Sequence, residues 1–222
     1  MDLMRLLRSL EEFLYELIGW LVFYPRTFWR ILRHPGAIAR YTRKELAEPP
    51  EQQFQETISP VLMLILSVVL AHAMEMALRL PTQQTESPLG RLLFGTEQSL
   101  LLTRSIIFCF YALGAALGTL IRERKPITRE TLREPFSVQA FLACPFVLIL
   151  SLGLQLARME SETIQASGLL LATVACIWYV LARVAAYRAV HQGPLLPVLA
   201  ATIGWFGITT LLITTVIVAS VV

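Results

Sequence analysis

Cysteine, lysine and histidine are scarce in this chain, which has three cysteines, two lysines beside seventeen arginines, and three histidines among 222 residues. Cys109, Cys144 and Cys176 each fall inside an apolar run and have no short-range mate, which argues against a disulfide framework or a cysteine-rich zinc site. His34, His72 and His191 are too scattered to mark a metal or haem centre, so no cofactor is expected. H-E-x-x-H, G-x-S-x-G, a Walker A loop and a paired-cysteine motif are all missing, and an ordinary hydrolase, ATPase or redox enzyme is not expected. Charge is also low. Only 16% of residues are charged against 55% hydrophobic, and the mean hydropathy of +0.61 is wrong for a soluble domain. The net charge of +3 gives no basic excess of the kind nucleic-acid binding needs.

The abundant feature is long apolar runs. Gln192 to Val222 carries no formal charge, and neither does Pro135 to Ala157. Thr57 to Met74, Thr163 to Ala182 and Leu100 to Ile121 complete a set of five, each near the roughly 20 residues needed to cross a bilayer core. Lipid cannot hydrogen-bond an open backbone, so these runs are predicted to be helices. The expected fold is an all-α integral membrane protein. Residues 1–56 form a cytoplasmic interfacial segment, and residues 57–222 form a five-helix transmembrane domain with spans near 57–79, 100–121, 135–157, 163–186 and 195–222.

Arginine placement orients the chain. Fifteen of the nineteen basic residues fall in the N-terminal segment, in the loop from Arg122 to Arg133, or at Arg183 and Arg188, which are expected to mark the inner end of the fourth span. Arg79, Arg91, Arg104 and Arg158 are left for the other side. By the positive-inside rule the N-terminus is cytoplasmic and the C-terminus outside; the excess of arginine over lysine hints at a GC-rich bacterial genome, and a bacterial inner membrane is the expected location. Met1 to Glu16 is too charged for a cleavable signal peptide, so the first span is expected to be an uncleaved insertion signal.

The N-terminal segment is predicted to hold amphipathic helices lying in the membrane interface. Leu3, Leu6, Leu10, Leu14, Leu17 and Ile18 recur at helical spacing, and the run from Leu17 to Tyr24 is too short to span. Pro25 reads as the first residue of a second short helix, with Phe28 and Trp29 on its apolar side and Arg26, Arg30 and Arg33 on the other. His34, Pro35 and Gly36 end it, and 37–56 reads as a polar linker. Thr131 and Glu134 stand at capping-box spacing ahead of Pro135. His191 to Pro194 reads as a tight turn. The two halves of the chain do not repeat, so an inverted-repeat transporter has no support.

Candidate polar residues within the membrane are His72, Glu75, Arg79 and Arg104. Two readings stand: Glu75 pairs with Arg104 across the first two spans, with His72 one turn deeper, or the arginines snorkel to the surface and Glu75 faces water. A proton or ion relay through His72 and Glu75 is a third use of the same residues. Gly114 and Gly118 form a G-x-x-x-G face, and Ala200, Gly204 and Gly207 a second small stripe, both expected to serve helix packing, with homo-oligomerisation as the alternative. Thr202, Thr209, Thr210, Thr214 and Thr215 are expected to return their hydroxyls to the backbone rather than line a path. Pro145 predicts a kink.

The stretch from Tyr24 to Pro35 ahead of the first span, together with the Pro145-containing third span, resembles bacterial members of the Yip1 family, as does the general layout. The Asp-Leu-Tyr-Gly-Pro and Gly-Tyr motifs of eukaryotic members are not present, so small-GTPase binding is not carried over. The resemblance implies a non-enzymatic membrane protein whose partners are lipids or another membrane protein. The expected function is therefore an accessory or scaffold protein that docks its partner through Trp20, Arg26, Phe28, Trp29, Arg30 and Arg33 and through Arg122, Arg124 and Lys125. The competing class is a small permease or channel subunit for a solute or lipid, lined by His72, Glu75 and Arg104.

Overall fold

In the computed structural model the described residues are 2–78 and 87–221, all helical or in turns and loops, with no strand among them. Helix α1 is Asp2–Arg33, α2 Pro35–Ala47, α3 Pro60–Ala77, α4 Pro88–Phe94, α5 Glu97–Arg122, α6 Arg129–Leu156, α7 Glu162–His191 and α8 Leu195–Val221. Five of these (α3, α5, α6, α7 and α8) are long and apolar enough to cross a membrane, with mean hydropathies of 1.9 to 2.0, and the chain is an integral membrane protein. The ends of the bundle are named here by the short helices beside them, the α2 end and the α4 end.

Helix α6 is the hub. It touches α1, α2, α3, α5 and α7, and 67% of its apolar window is buried, against 17% for α8, which packs mainly on α4, α5 and α7. The reason lies in the stretch at 137–147, where small residues alternate with aromatics and every side chain is buried. Alanines and Cys144 let neighbouring backbones close in, while Phe141 and Phe146 fill the spaces between them. Phe146 stacks on Tyr179 of α7 with ring centroids 4.4 Å apart, and meets Tyr111 of α5 and Phe206 of α8 edge-on.

Several helix boundaries differ from the sequence expectation. Pro25 does not begin a second helix; α1 runs through it to Arg33. The missing amide bond is tolerated because Tyr24 and Phe28, on either side, are packed against the core. The break comes at His34 (φ −134°, ψ 62°), where the residue before Pro35 is pushed out of the helical region. Pro35 then opens α2, so much of the expected linker is helical, its buried Ile38, Ala39 and Thr42 facing the core. Beyond it Phe54 holds a left-handed φ of 57°, its amide donating to Glu45 Oε2 at 2.5 Å, which turns its ring against Phe141.

Helix α6 starts six residues before Pro135, and the expected Thr131–Glu134 box is replaced by a reciprocal cap. Thr128 Oγ1 accepts from the Thr131 amide at 3.2 Å, and Thr131 Oγ1 accepts from the Thr128 amide at 3.0 Å. Thr128→Ala is expected to lower stability by about 1 kcal/mol, read as a lower unfolding midpoint in detergent; an unchanged midpoint would count against the cap. Pro135 and Pro145 both lie inside the one helix.

Candidate functional site

Titratable side chains gather at both ends of the bundle. At the α4 end, Glu75 projects from the last turn of α3 and is 12% exposed. It forms an ion pair with Arg104 of α5 and a second with Arg158, just past α6, at 3.0 Å. His72, one turn back along α3, is buried; its Nδ1 lies 3.4 Å from Arg104 Nη1 and its Nε2 3.3 Å from Glu97 Oε2. Gln155 Nε2 donates to the Ala71 carbonyl at 3.1 Å, tying α6 to the same turn of α3. One carboxylate thus sits between two guanidiniums drawn from different helices, which joins α3, α5 and α6. Arg79 lies outside the described residues.

Arg158 and Glu97 are members of this cluster that the sequence reading missed. Arg158 ends an uncharged run and Glu97 opens a helix, so each reads as a terminal marker. Their partners become visible only when α6 and α5 are set beside α3.

At the α2 end, Glu123 receives His191 Nε2 at 2.7 Å and Lys125 Nζ at 2.6 Å. Arg122 stacks over the Tyr187 ring at 4.5 Å, Arg43 faces Glu134 at 3.6 Å, and Arg133 donates to Gln53 Oε1 at 2.7 Å. Arg124 is exposed in a left-handed turn with φ 54°. Arg183 does not mark a helix end. It is buried two turns inside α7, at 6% exposure, with its guanidinium over the Tyr179 ring at 5.5 Å.

The N-terminal residues divide into an anchored part and a projecting part. The Tyr24 hydroxyl lies 2.8 Å from Ser67 Oγ in α3, and because Ser67 donates its own hydrogen to the Met63 carbonyl, the phenol is the donor. Burial pushes that phenol up to about 12, so it stays neutral. Trp178 Nε1 donates to the Leu32 carbonyl at 3.3 Å, and Ile31 is fully buried. Trp20 and Phe28 are half-buried against the core. Trp29 is exposed under Arg33 at 4.2 Å, Arg30 lies over Tyr41 at 4.6 Å, and Arg26 is exposed. Leu10, Leu14, Leu17, Ile18, Leu21 and Val22 of α1 are exposed.

The two glycine stripes have opposite surroundings. A Cβ on Gly114 would meet Thr209 Oγ1 at 2.5 Å, and one on Gly118 would meet Trp205 Cγ at 2.7 Å, so this face seats α8 on α5. Gly204 and Gly207 have nothing within 4 Å, and their expected role in packing inside the bundle is corrected: they lie on the outward face of α8. Thr202, Thr209 and Thr215 each donate to the carbonyl four residues earlier at 2.8 Å, whereas Thr210 accepts from Tyr111 at 3.2 Å. Among the described residues no group of three His, Cys, Asp or Glu side chains is placed to hold a metal ion.

The chain matches no protein-family model, no curated protein and no solved structure.

Proposed function

We propose that the chain is a non-enzymatic accessory or scaffold protein of a bacterial inner membrane, which uses α1 and α2 to dock a second membrane protein at the cytoplasmic surface. The observation that carries this reading is the division of α1. Its last third is fastened to α3 and α7 through Tyr24 and Leu32, while Leu10, Leu14, Leu17, Ile18, Leu21 and Val22 present an apolar stripe that the bundle does not cover. The part of α1 ahead of Tyr24 reaches about 30 Å from that anchor. An unburied stripe of this size calls for lipid or a partner protein to cover it. Arginine placement supports a cytoplasmic N-terminus and an outer C-terminus, with Arg26 free to meet anionic headgroups. The likeness to the Yip1 family points the same way.

A photo-crosslinker at Ile18 is expected to capture one discrete membrane protein in cells, and one at Leu169, an exposed residue of α7, is not. Ile18→Asp is expected to abolish capture while the bundle stays folded. Recovery of a lone monomer in mild detergent, with no adduct from Ile18 in membranes, would defeat the scaffold reading.

A second reading, a small permease or channel subunit, is favoured by the linked polar group of His72, Glu75 and Arg104. Solute uptake that is unchanged in His72→Ala and Glu75→Gln would remove it.

A further inference from the structure

Arg183 is a buried cation without a counter-charge. None of the ion pairs among the described residues involves it, and its Nε hydrogen is buried without an acceptor. The Tyr179 ring under it offers a weak cation–π contact. A desolvated guanidinium with no anion is strongly unfavourable, and none of the described residues supplies the missing charge.

The guanidinium lines a small cavity where α5, α6, α7 and α8 converge near the α2 end. Its walls include Thr119, Arg122, Gln139, Tyr187, Thr202 and Trp205. The volume, about 20 Å³, admits a single body of water size. The hydroxyl hydrogens of Thr119 and Thr202 are spent on the Ala115 and Val198 carbonyls, so the donors left on the lining residues are the two guanidiniums, the Gln139 amide, the Trp205 indole N–H and the Tyr187 hydroxyl. Gln139 is also buried, with its Oε1 unpartnered, and its amide oxygen and nitrogen are interchangeable, so the amide can donate as well as accept. Glu123, just past α5, lines the adjoining cavity and is already engaged by His191 and Lys125.

We infer that this cavity is a binding site for one small monovalent inorganic anion of halide size, held between the guanidiniums of Arg183 and Arg122. Two cationic side chains and an amide lining one space of water size select a compact anion over a bulky one. Such an anion bridges α5 to α7 and so acts as part of the fold.

The test uses the full chain in nanodiscs of phosphatidylcholine, with chloride exchanged for gluconate at constant ionic strength. Trp205 walls the cavity and reports on it. Iodide is expected to quench a saturable part of the tryptophan emission, chloride to compete with it, and Trp205→Phe to remove that part. Chloride is expected to raise the unfolding midpoint where gluconate does not. Arg183→Lys should weaken apparent halide affinity about tenfold or more, the size of one lost charge-assisted hydrogen bond. Gln139→Glu supplies an internal carboxylate and is expected to stay folded with no halide dependence, which keeps the test decisive if Arg183→Gln fails to fold. Quenching that is linear in iodide and identical in Arg183→Lys would overturn the site. So would a stability that ignores chloride and responds only when phosphatidylglycerol replaces phosphatidylcholine.

Discussion

Glu75→Gln is expected to destabilise the bundle by about 2 to 3 kcal/mol, near the lower end of what removing one partner from a buried ion pair costs. The carboxylate is 12% exposed, and the two guanidiniums that converge on it, Arg104 and Arg158, are 24% and 31% exposed. Solvent therefore screens the arginines more than the glutamate, and this discounts the loss. Removing the glutamate leaves two cations facing each other with a partly desolvated histidine behind them, so repulsion adds to the lost attraction. Arg104→Gln should cost less, because Arg158 still neutralises Glu75. In a double-mutant cycle the pair Glu75→Gln and Arg104→Gln should be less harmful than the sum of the two single changes. The exchange Glu75→Arg with Arg104→Glu should recover part of the stability. The measurement is the unfolding free energy in mixed micelles. A Glu75→Gln protein that unfolds with wild-type energy would show that the triad is ornamental.

This cluster also shows how far the sequence could be read. The pairing of Glu75 with Arg104 was accessible, because both charges interrupt neighbouring spans at similar depth and lipid compels ionisable groups to find partners. Arg158 was not, because its placement depends on α6 standing at the hub, and hub position is a property of packing that hydropathy does not encode. Uncharged runs reveal where five helices cross but not where they end. Helix α6 continues outward through Arg129, Arg133 and Glu134 until Thr128 caps it, since charged side chains are compatible with a helix once it leaves the hydrocarbon. Pro25 misled for the related reason that tertiary packing overrides a local breaker. The stripes at Gly114 and Gly118 and at Gly204 and Gly207 look alike on paper, yet one seats a helix and the other faces outward. Spacing reports a smooth surface and says nothing about which neighbour uses it.

The proposed docking role and the anion site share one mechanical requirement, which is that α6 and α7 remain in register. Leu32 of α1 is fastened to α7 through Trp178, and the cavity takes Gln139 from α6 and Arg183 from α7. A change that slides α7 along α6 therefore moves both the root of the α1 arm and one wall of the cavity. The two proposals then fail together, whereas Ile18→Asp and Gln139→Glu each touch only one of them.

The register is set near the α4 end by Gly153 and Gly168, and Gly153→Leu or Gly168→Leu is expected to be the most damaging single change on the apolar surfaces. A Cβ on Gly153 would stand 2.6 Å from the Ala172 amide nitrogen and 3.0 Å from its Cα; one on Gly168 would stand 2.6 Å from the Gly153 carbonyl oxygen and 2.8 Å from the Leu156 carbonyl carbon. These obstacles are backbone atoms and have no rotamer through which to yield, so the helices must separate. Separation opens the contact between the two helices beyond the glycines, including the stack of Phe146 on Tyr179. Overpacking typically costs 1 to 3 kcal/mol, and with backbone on both sides the loss should reach about 3 kcal/mol or more for either residue. Even alanine should be felt at both positions. Gly204→Leu and Gly207→Leu supply the control: with nothing within 4 Å of either site, each should stay within about 0.5 kcal/mol of wild type. Unfolding measured on all four proteins in the same micelles decides the matter, and equal losses at the inward and outward glycines would refute the close α6–α7 approach.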